Sequence, residues 1–415
     1  MTTYRVGRVV TPDDVLENAW IQVDGEDIRA FGRRSEGMPA DGKRPEDLGD
    51  VTVVPGFVDI HTHGGGGSTY STVDPEEARK VAAFHAKHGT TTTLASLVTA
   101  PLDELVAQTA CLAELIADGV IAGVHLEGPF LSEARCGAHE PSLLRPPLED
   151  DVAKVLSDAV KMVTIAPELE NGLDAIRQVV DAGAVAALGH TDATYEQMVA
   201  GADAGATVAT HLFNGMRPFH HRDPGPVGAA LNDERLLLEV INDGMHLDPQ
   251  VVRVALAAAG VNRIALITDA MVATGMPNGR YKLGSLEVDV TDGLATLAHG
   301  SHSIAGSTLT MDVAFRNAVK AGVSLVDASR MASTTPAQTF GWYDVGSIET
   351  GKRADLVLLD DEYAVQKVMR AGSWLDCSAP SPSTSRWTSP TRSTSCGSAA
   401  ATGWTGSAGA RAGRA

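Results

Sequence analysis

Apolar and polar positions follow three different rhythms along this chain. Over residues 1–54 they alternate in short runs. RVGRVVTP, AWIQVDGEDIRAFG and VTVV, broken by Pro12, Gly25 and Gly32, predict strands joined by polar turns. From Pro55 the runs become apolar throughout. FVDIHTH (57–63), TTTLAS (91–96), IAGVHLEG (121–128), MVTIAPE (162–168), VAALGH (185–190), TVATHLF (207–213), LLLEVIND (236–243) and RIALITDA (263–270) read as strands of a parallel sheet covered on both faces. Helices are punctuated between them. Asp74-Pro75 opens one that stops at Gly89, and Pro101 opens another that stops at Gly119, following the Pro-in, Gly-out asymmetry of helix ends. Eight such units predict a closed (β/α)8 TIM-like barrel over 55–343. An open, doubly wound sheet is the competing architecture.

After the eighth run, residues 272–303 form a polar, β-like excursion, and STLTMDVAFRNAVKAG with shorter pieces at 324–332 and 336–341 reads as helical. ADLVLLD (354–360) and VQKVMRAGSWL then return to strand character. They predict a small β-sandwich domain built from both chain ends, 1–54 and 344–377, with the barrel inserted between its halves. Residues 378–415 are Ser/Thr/Gly/Ala-rich, with four Arg and no acid. Such a segment buries too little apolar surface to offset its ordering entropy, so it is expected to be disordered, and its abrupt onset reads like a shifted frame.

Composition narrows the partners. Lys plus Arg number 33 against 52 Asp plus Glu, a formal charge of −19, and a surface that acidic repels nucleic-acid backbones. It leaves room for a small phosphorylated ligand, since a few cations can dominate one cleft. No apolar run approaches the roughly 20 residues of a membrane span, and MTTYRVGRVV lacks the layout of a secretion signal. Cys111, Cys136, Cys377 and Cys396 are scattered without paired spacing. A cytoplasmic protein is expected, with Cys136 a spectator thiol.

Chemistry enters at the carboxyl ends of the predicted strands, which form the active face of a parallel barrel. The first ends in His61-Thr62-His63, the third in His125-Leu126-Glu127, the fifth in Gly189-His190, the sixth in Thr210-His211 and the eighth in Thr268-Asp269. Two residues apart on a strand, His61 and His63 point the same way. Taken singly, each is explained as a hydrogen-bonded strand-end residue, a rim carboxylate or a cap. Together, four imidazoles and two carboxylates crowded on one face are costly unless something binds them. A divalent cation accounts for the set at once. His85 and His88, before Gly89, are explained by the helix dipole. His125, two residues before Glu127, is expected to share its face as a hydrogen-bonding partner behind the ligands without being one, and His220, His221, His299 and His302 sit in predicted loops.

With PGFVDIHTHG, HLEGPFL, GHTDA, THLFNGM, NDGMHL, ITDAM and IAGSTLTM in this order, the chain resembles the amidohydrolase superfamily. More narrowly it resembles the N-acetylglucosamine-6-phosphate deacetylase family, and PAQTFG and GKRADLVLLD extend the likeness to about residue 375. The resemblance implies a metal-dependent hydrolase that releases acetate from N-acetylglucosamine 6-phosphate in amino-sugar catabolism and cell-wall recycling. It implies metal ligands at Glu127, His190 and His211 and an acid/base at Asp269. His61 and His63, absent from some members, favour a second ion, so one or two per subunit, zinc or iron. It further implies substrate contacts at Ala138, His139, Asn214, Gly215, Arg222, His246, Ile304, Ala305 and Gly306, some of them across a homodimer interface. The family usually has Ala where Gly215 stands. Arg222 read from its own surroundings is a solvated loop arginine. Two rival readings remain. One is an amidohydrolase acting on a related N-acyl amino sugar or a cyclic amide, many of which use a strand-four lysine that MVTIAPE lacks. The other is a catalytically inert sugar-phosphate binder.

Overall fold

The computed structural model describes residues 1–39 and 44–375. The 378–415 segment, with Cys396, and the adjoining Cys377 lie outside the described residues.

The apolar runs become eight parallel strands: Phe57–Asp59, Thr90–Val98, Gly123–Glu127, Val160–Ile165, Val185–Leu188, Val208–Ala209, Leu237–Ile241 and Ile264–Ile267. Each pairs with the next along the chain. A doubly wound sheet needs a point where strand order reverses, and this order has none. The first and eighth strands meet at their carboxyl ends, where Asp269 N–H bonds to His61 O and the N–H groups of His63 and Gly64 both bond to Ala270 O. Below them Thr268 donates its hydroxyl to Asp59 Oδ2 at 2.6 Å. The sheet therefore closes into the expected barrel.

A helix follows every strand: Pro75–Lys87, Leu102–Ala117, Glu149–Val155, Gly172–Asp181, Tyr195–Asp203, Gly225–Asn232, Pro249–Ala259 and Met311–Lys320. Their apolar sides cover the outer face, so strands such as Thr90–Val98 and Gly123–Glu127 are buried at every position. That double burial is why these runs are apolar throughout. The 272–303 excursion supplies an antiparallel sheet of three strands, Gly279–Leu283, Leu286–Thr291 and Leu294–Leu297. Its core residues Val288, Val290 and Ala295 pack with Met271, Ala305 and Val98, and Ala138 rests against them. Loops over the barrel mouth are thus fixed by a satellite core.

Both chain ends contribute to one eight-stranded sheet, the form taken by the expected small β domain. Its central joint is the antiparallel pairing of Thr52–Pro55 with Leu356–Leu359, from Leu356 opposite Pro55 to Leu359 opposite Thr52. The two-residue period divides the side chains between two cores. Val53, Leu356 and Leu358 enter the small sheet's own core, while Val54, Val357 and Leu359 enter the barrel core.

Candidate metal centre

Strand ends bring His61, His63, Glu127, His190, His211 and Asp269 together, all buried. They form two groups, His61–His63–Asp269 and Glu127–His190–His211, each with ligand atoms within 4.8 Å of one another. Glu127 lies between the groups. Its Oε1 is 3.2 Å from His190 Nε2, 2.9 Å from His211 Nε2 and 3.6 Å from His61 Nε2. Its Oε2 is 3.1 Å from His63 Nε2 and 3.4 Å from His139 Nε2. Asp269 Oδ1 stands 3.3 Å from His63 Nε2 and 3.6 Å from His61 Nε2.

The hydrogen-bond network tests whether these residues suit a cation. His61 donates Nδ1–H to Glu239 Oε2 at 2.9 Å, His63 to Ser96 O at 3.1 Å and His190 to Arg135 O at 2.8 Å. Neutral imidazoles with Nδ1 protonated present Nε2 lone pairs. Those lone pairs face each other at 3.2 Å between His61 and His63, and His190 Nε2 lies 3.1 Å from His211 Nε2. Acceptors therefore meet acceptors, beside two carboxylates, and a positive charge is what the arrangement lacks. The electrostatics agree. Burial would push His61 down, yet Glu127 and Glu239 hold it well above the ordinary imidazole value. Burial is likewise outweighed at His63, raised to about 9 by Asp269 and Glu127. Burial would raise Glu127, but His61 and the bonded imidazoles keep it well below the usual carboxylate range. A site that holds protons this firmly without a metal has the donor set of a divalent cation site.

Residues 52–375 match the amidohydrolase family. This chain is an amidohydrolase. It is 39% identical over 392 residues to the N-acetylglucosamine-6-phosphate deacetylase of Vibrio furnissii, covering 91% of this chain and 96% of that protein. It is 40% identical over 328 residues to the N-acetylgalactosamine-6-phosphate deacetylase of Escherichia coli O157:H7, covering 77% and 86%. Among solved structures it superposes with TM-score 0.86 on the Mycobacterium smegmatis N-acetyl-D-glucosamine-6-phosphate deacetylase bound to N-acetyl-D-glucosamine-6-phosphate. That match is at 45% identity over 90% of this chain and 98% of that one.

Around the amidohydrolase centre, the other expected residues divide by contact. His139 joins it: its ring packs against that of His190 at 4.5 Å, and its Nδ1 accepts from Thr99 N–H at 3.4 Å. Burial and the neighbouring His190 lower it to about 4, so it is neutral and carries its proton on Nε2, facing the site. Gly215 packs on the same ring, with φ +60° and no room for a Cβ, which would sit 2.9 Å from His190 Nδ1. Asn214 is half-buried and donates its amide to His211 O. Ile304, Ala305 and Gly306 run past the eighth strand's end, and the next residue, Ser307, donates N–H to Asp269 O. His246 donates Nδ1–H to Asp243 Oδ2 at 2.7 Å. Although burial opposes it, Asp243 raises the His246 imidazole. Arg222 stays outside the cluster, exposed and without an ion-pair partner among the described residues.

One sequence expectation needs correction. His85 is fully buried and donates Nε2–H to Gly64 O at 2.9 Å. Burial lowers it to about 4, so it anchors the loop after His63 as a neutral group and contributes no charge to the helix dipole. His88 instead pairs with Asp312 at 3.2 Å. His125, no member of either candidate metal group, bonds to Ser96 Oγ and Thr164 Oγ1 and packs its ring against that of His61. Lys161 is the second residue of the fourth strand and belongs to neither candidate metal group. Sequence reasoning missed Glu239, which accepts from His61 and lies fully buried. Its signal was an acid flanked by apolar residues on both sides in LLLEVI, an expensive burial that needs a purpose.

Proposed function

We propose that this amidohydrolase removes the acetyl group of N-acetylglucosamine 6-phosphate, giving acetate and glucosamine 6-phosphate, in cytoplasmic amino-sugar catabolism and cell-wall recycling. The observation that carries the reading is the convergence of four imidazoles on Glu127 and Asp269, in a chain whose relatives are named for this reaction. Glu127, His190 and His211 hold one divalent ion, and His61, His63 and Asp269 a second. Zinc suits the nitrogen-rich set best, with iron the alternative. Such an ion polarises a carbonyl and lowers the pKa of a bound water from about 15.7 toward 7.

The chain's own groups then divide the work. Asp269 takes the proton of the attacking water as the new C–O bond forms. It returns that proton to the sugar nitrogen as the C–N bond breaks, so one group serves as base and then acid. His139 donates its Nε2–H to the carbonyl oxygen as negative charge develops there. Asn214, the Gly215 backbone and His246 receive the phosphate and sugar, with Ala138 and Ile304–Gly306 closing over them. Arg222 completes the phosphate site of a partner subunit in a homodimer. The exposed Phe219 (55%) and Met245 (36%) flank Arg222 and His246 in sequence and give that face apolar surface to dock.

Acetate release from N-acetylglucosamine 6-phosphate, before and after chelation, tests the reading. Turnover that vanishes on chelation and returns with zinc is expected; metal-independent binding without release would favour an inert binder. N-acetylgalactosamine 6-phosphate belongs in the same assay because of the Escherichia coli relative. Asp269→Asn should lower kcat by about 10²–10⁴-fold, the usual worth of a general acid–base, while calorimetry shows substrate still bound. An Asn variant as fast as the parent removes Asp269 from the role.

A further inference from the structure

Glu239 sits on the seventh barrel strand, fully buried among Leu237, Leu238, Val240 and Ile241. One oxygen does two jobs: Oε2 accepts Nδ1–H from His61 at 2.9 Å and the backbone N–H of His211 at 3.1 Å. The other, Oε1, has no hydrogen-bond partner among the described residues. His61 belongs to one candidate metal group and His211 to the other, so this carboxylate touches both.

We infer that Glu239 is a positioning residue that decides whether the His61–His63–Asp269 group takes an ion. The inference rests on the metal reading above. Its logic is tautomeric. With Glu239 accepting at Nδ1, His61 must offer a lone pair at Nε2. Without that acceptor, His61 can move its proton to Nε2, where His63 Nε2 waits at 3.2 Å. The resulting N–H···N bond uses both lone pairs and shuts the group to metal. Charge points the same way. Glu127, Asp269 and Glu239 are three buried carboxylates; one divalent ion leaves them in excess and two do not. A carboxylate behind a ligating histidine also raises the ligand's basicity, and losing it typically costs 10–100-fold in metal affinity.

Zinc titration of metal-stripped protein by calorimetry, with metal content per subunit measured in parallel, tests this without reference to turnover. The parent should show two binding events per subunit. Glu239→Leu, which has no acceptor, should lose one event and keep the other. Glu239→Gln, which retains an acceptor oxygen but no charge, should keep both, with one weakened about 10–100-fold. Melting temperatures of the metal-free forms, measured in parallel, report what losing the acceptor of His211 N–H costs the fold, which separates an effect on the ion from one on folding. Should Glu239→Leu fail to fold, Glu239→Gln decides the matter alone. Unchanged affinities in the variants, or equal weakening of both events, overturn the inference. A parent with a single event overturns it as well, since no second ion is left to govern. A parent that binds no zinc defeats the metal reading itself.

Discussion

A buried histidine takes its charge from whatever surrounds it, and this protein uses both outcomes within a few ångströms. Carboxylates at Glu127, Glu239 and Asp269 draw positive charge to His61 and His63. His85, behind them on the helix Pro75–Lys87, bonds through Nε2 to Gly64 O, with Thr62 Oγ1 nearby, and stays neutral. Its folded pKa of about 4 lies below the ordinary 6.5, so in acid the unfolded chain takes up a proton that the folded one refuses. Stability is complete above about pH 6.5 and falls as pH drops toward 4. By linkage the loss is about 2 kcal/mol at pH 5. The urea unfolding free energies of the parent and His85→Gln should therefore draw closer by about that amount between pH 7 and pH 5. A gap that stays constant would show that His85 does not titrate this way. None of this was legible at residue level: His85 and His88 share one helical turn in the sequence, and only burial tells them apart.

At the scale of elements, the strand ends explain both what was readable and what was not. Apolar runs marked eight strands, because parallel strands in a barrel are covered on both sides. His61 and His63 do meet at 3.2 Å, though beyond the strand that ends at Asp59 and not by its two-residue period. The backbone turn that swings each ligand inward left no trace. His190, His211 and Asp269 all adopt positive φ, at 46°, 27° and 49°, a conformation that costs a non-glycine residue roughly 1–2 kcal/mol. Surrounding contacts must hold it in place. At the eighth strand that contact is Ser307. Its N–H bonds to Asp269 O at 2.7 Å, its hydroxyl donates to Thr268 O at 2.6 Å, and the same oxygen accepts Leu309 N–H at 2.9 Å. Ser307→Ala strips two buried backbone groups of a partner, which costs about 1–3 kcal/mol. A lower melting temperature is expected, together with a fall in kcat larger than any rise in KM, since the Thr268 carbonyl beside Asp269 loses its brace while the Ser307 N–H to Asp269 O remains. A destabilised variant with unaltered kcat would reduce Ser307 to a folding role. Glu239 illustrates the complementary limit. The sequence shows an acid in an apolar strand, but which imidazole it faces depends on a barrel that brings residue 239 to residue 61.

For the molecule as a whole, the decisive feature is where the barrel closes. Seven strand-to-strand joints are parallel ladders. The eighth joint, between first and last strands, rests on Asp269 N–H to His61 O, on His63 and Gly64 N–H to Ala270 O, and on the Thr268–Asp59 side-chain pair. All of it lies at the rim that carries the His61–His63–Asp269 group. Residues more than two hundred positions apart thus meet twice, once through the backbone and once through their ligand atoms. A bound ion would cross-link the seam directly, so binding and barrel closure should be coupled, and a ligand that binds only the folded state stabilises it in proportion to its free energy of binding. The small sheet gives no such help there, because its joint of Thr52–Pro55 with Leu356–Leu359 lies at the opposite, amino-terminal side of the first strand. Chelation should lower the melting temperature and, more tellingly, speed amide exchange in peptides covering 57–64 and 264–270 well before those covering the strands Gly123–Glu127 and Val160–Ile165. Zinc should reverse the difference. Exchange that rises evenly around the barrel would mean the ion stabilises the fold from the site without fastening its seam.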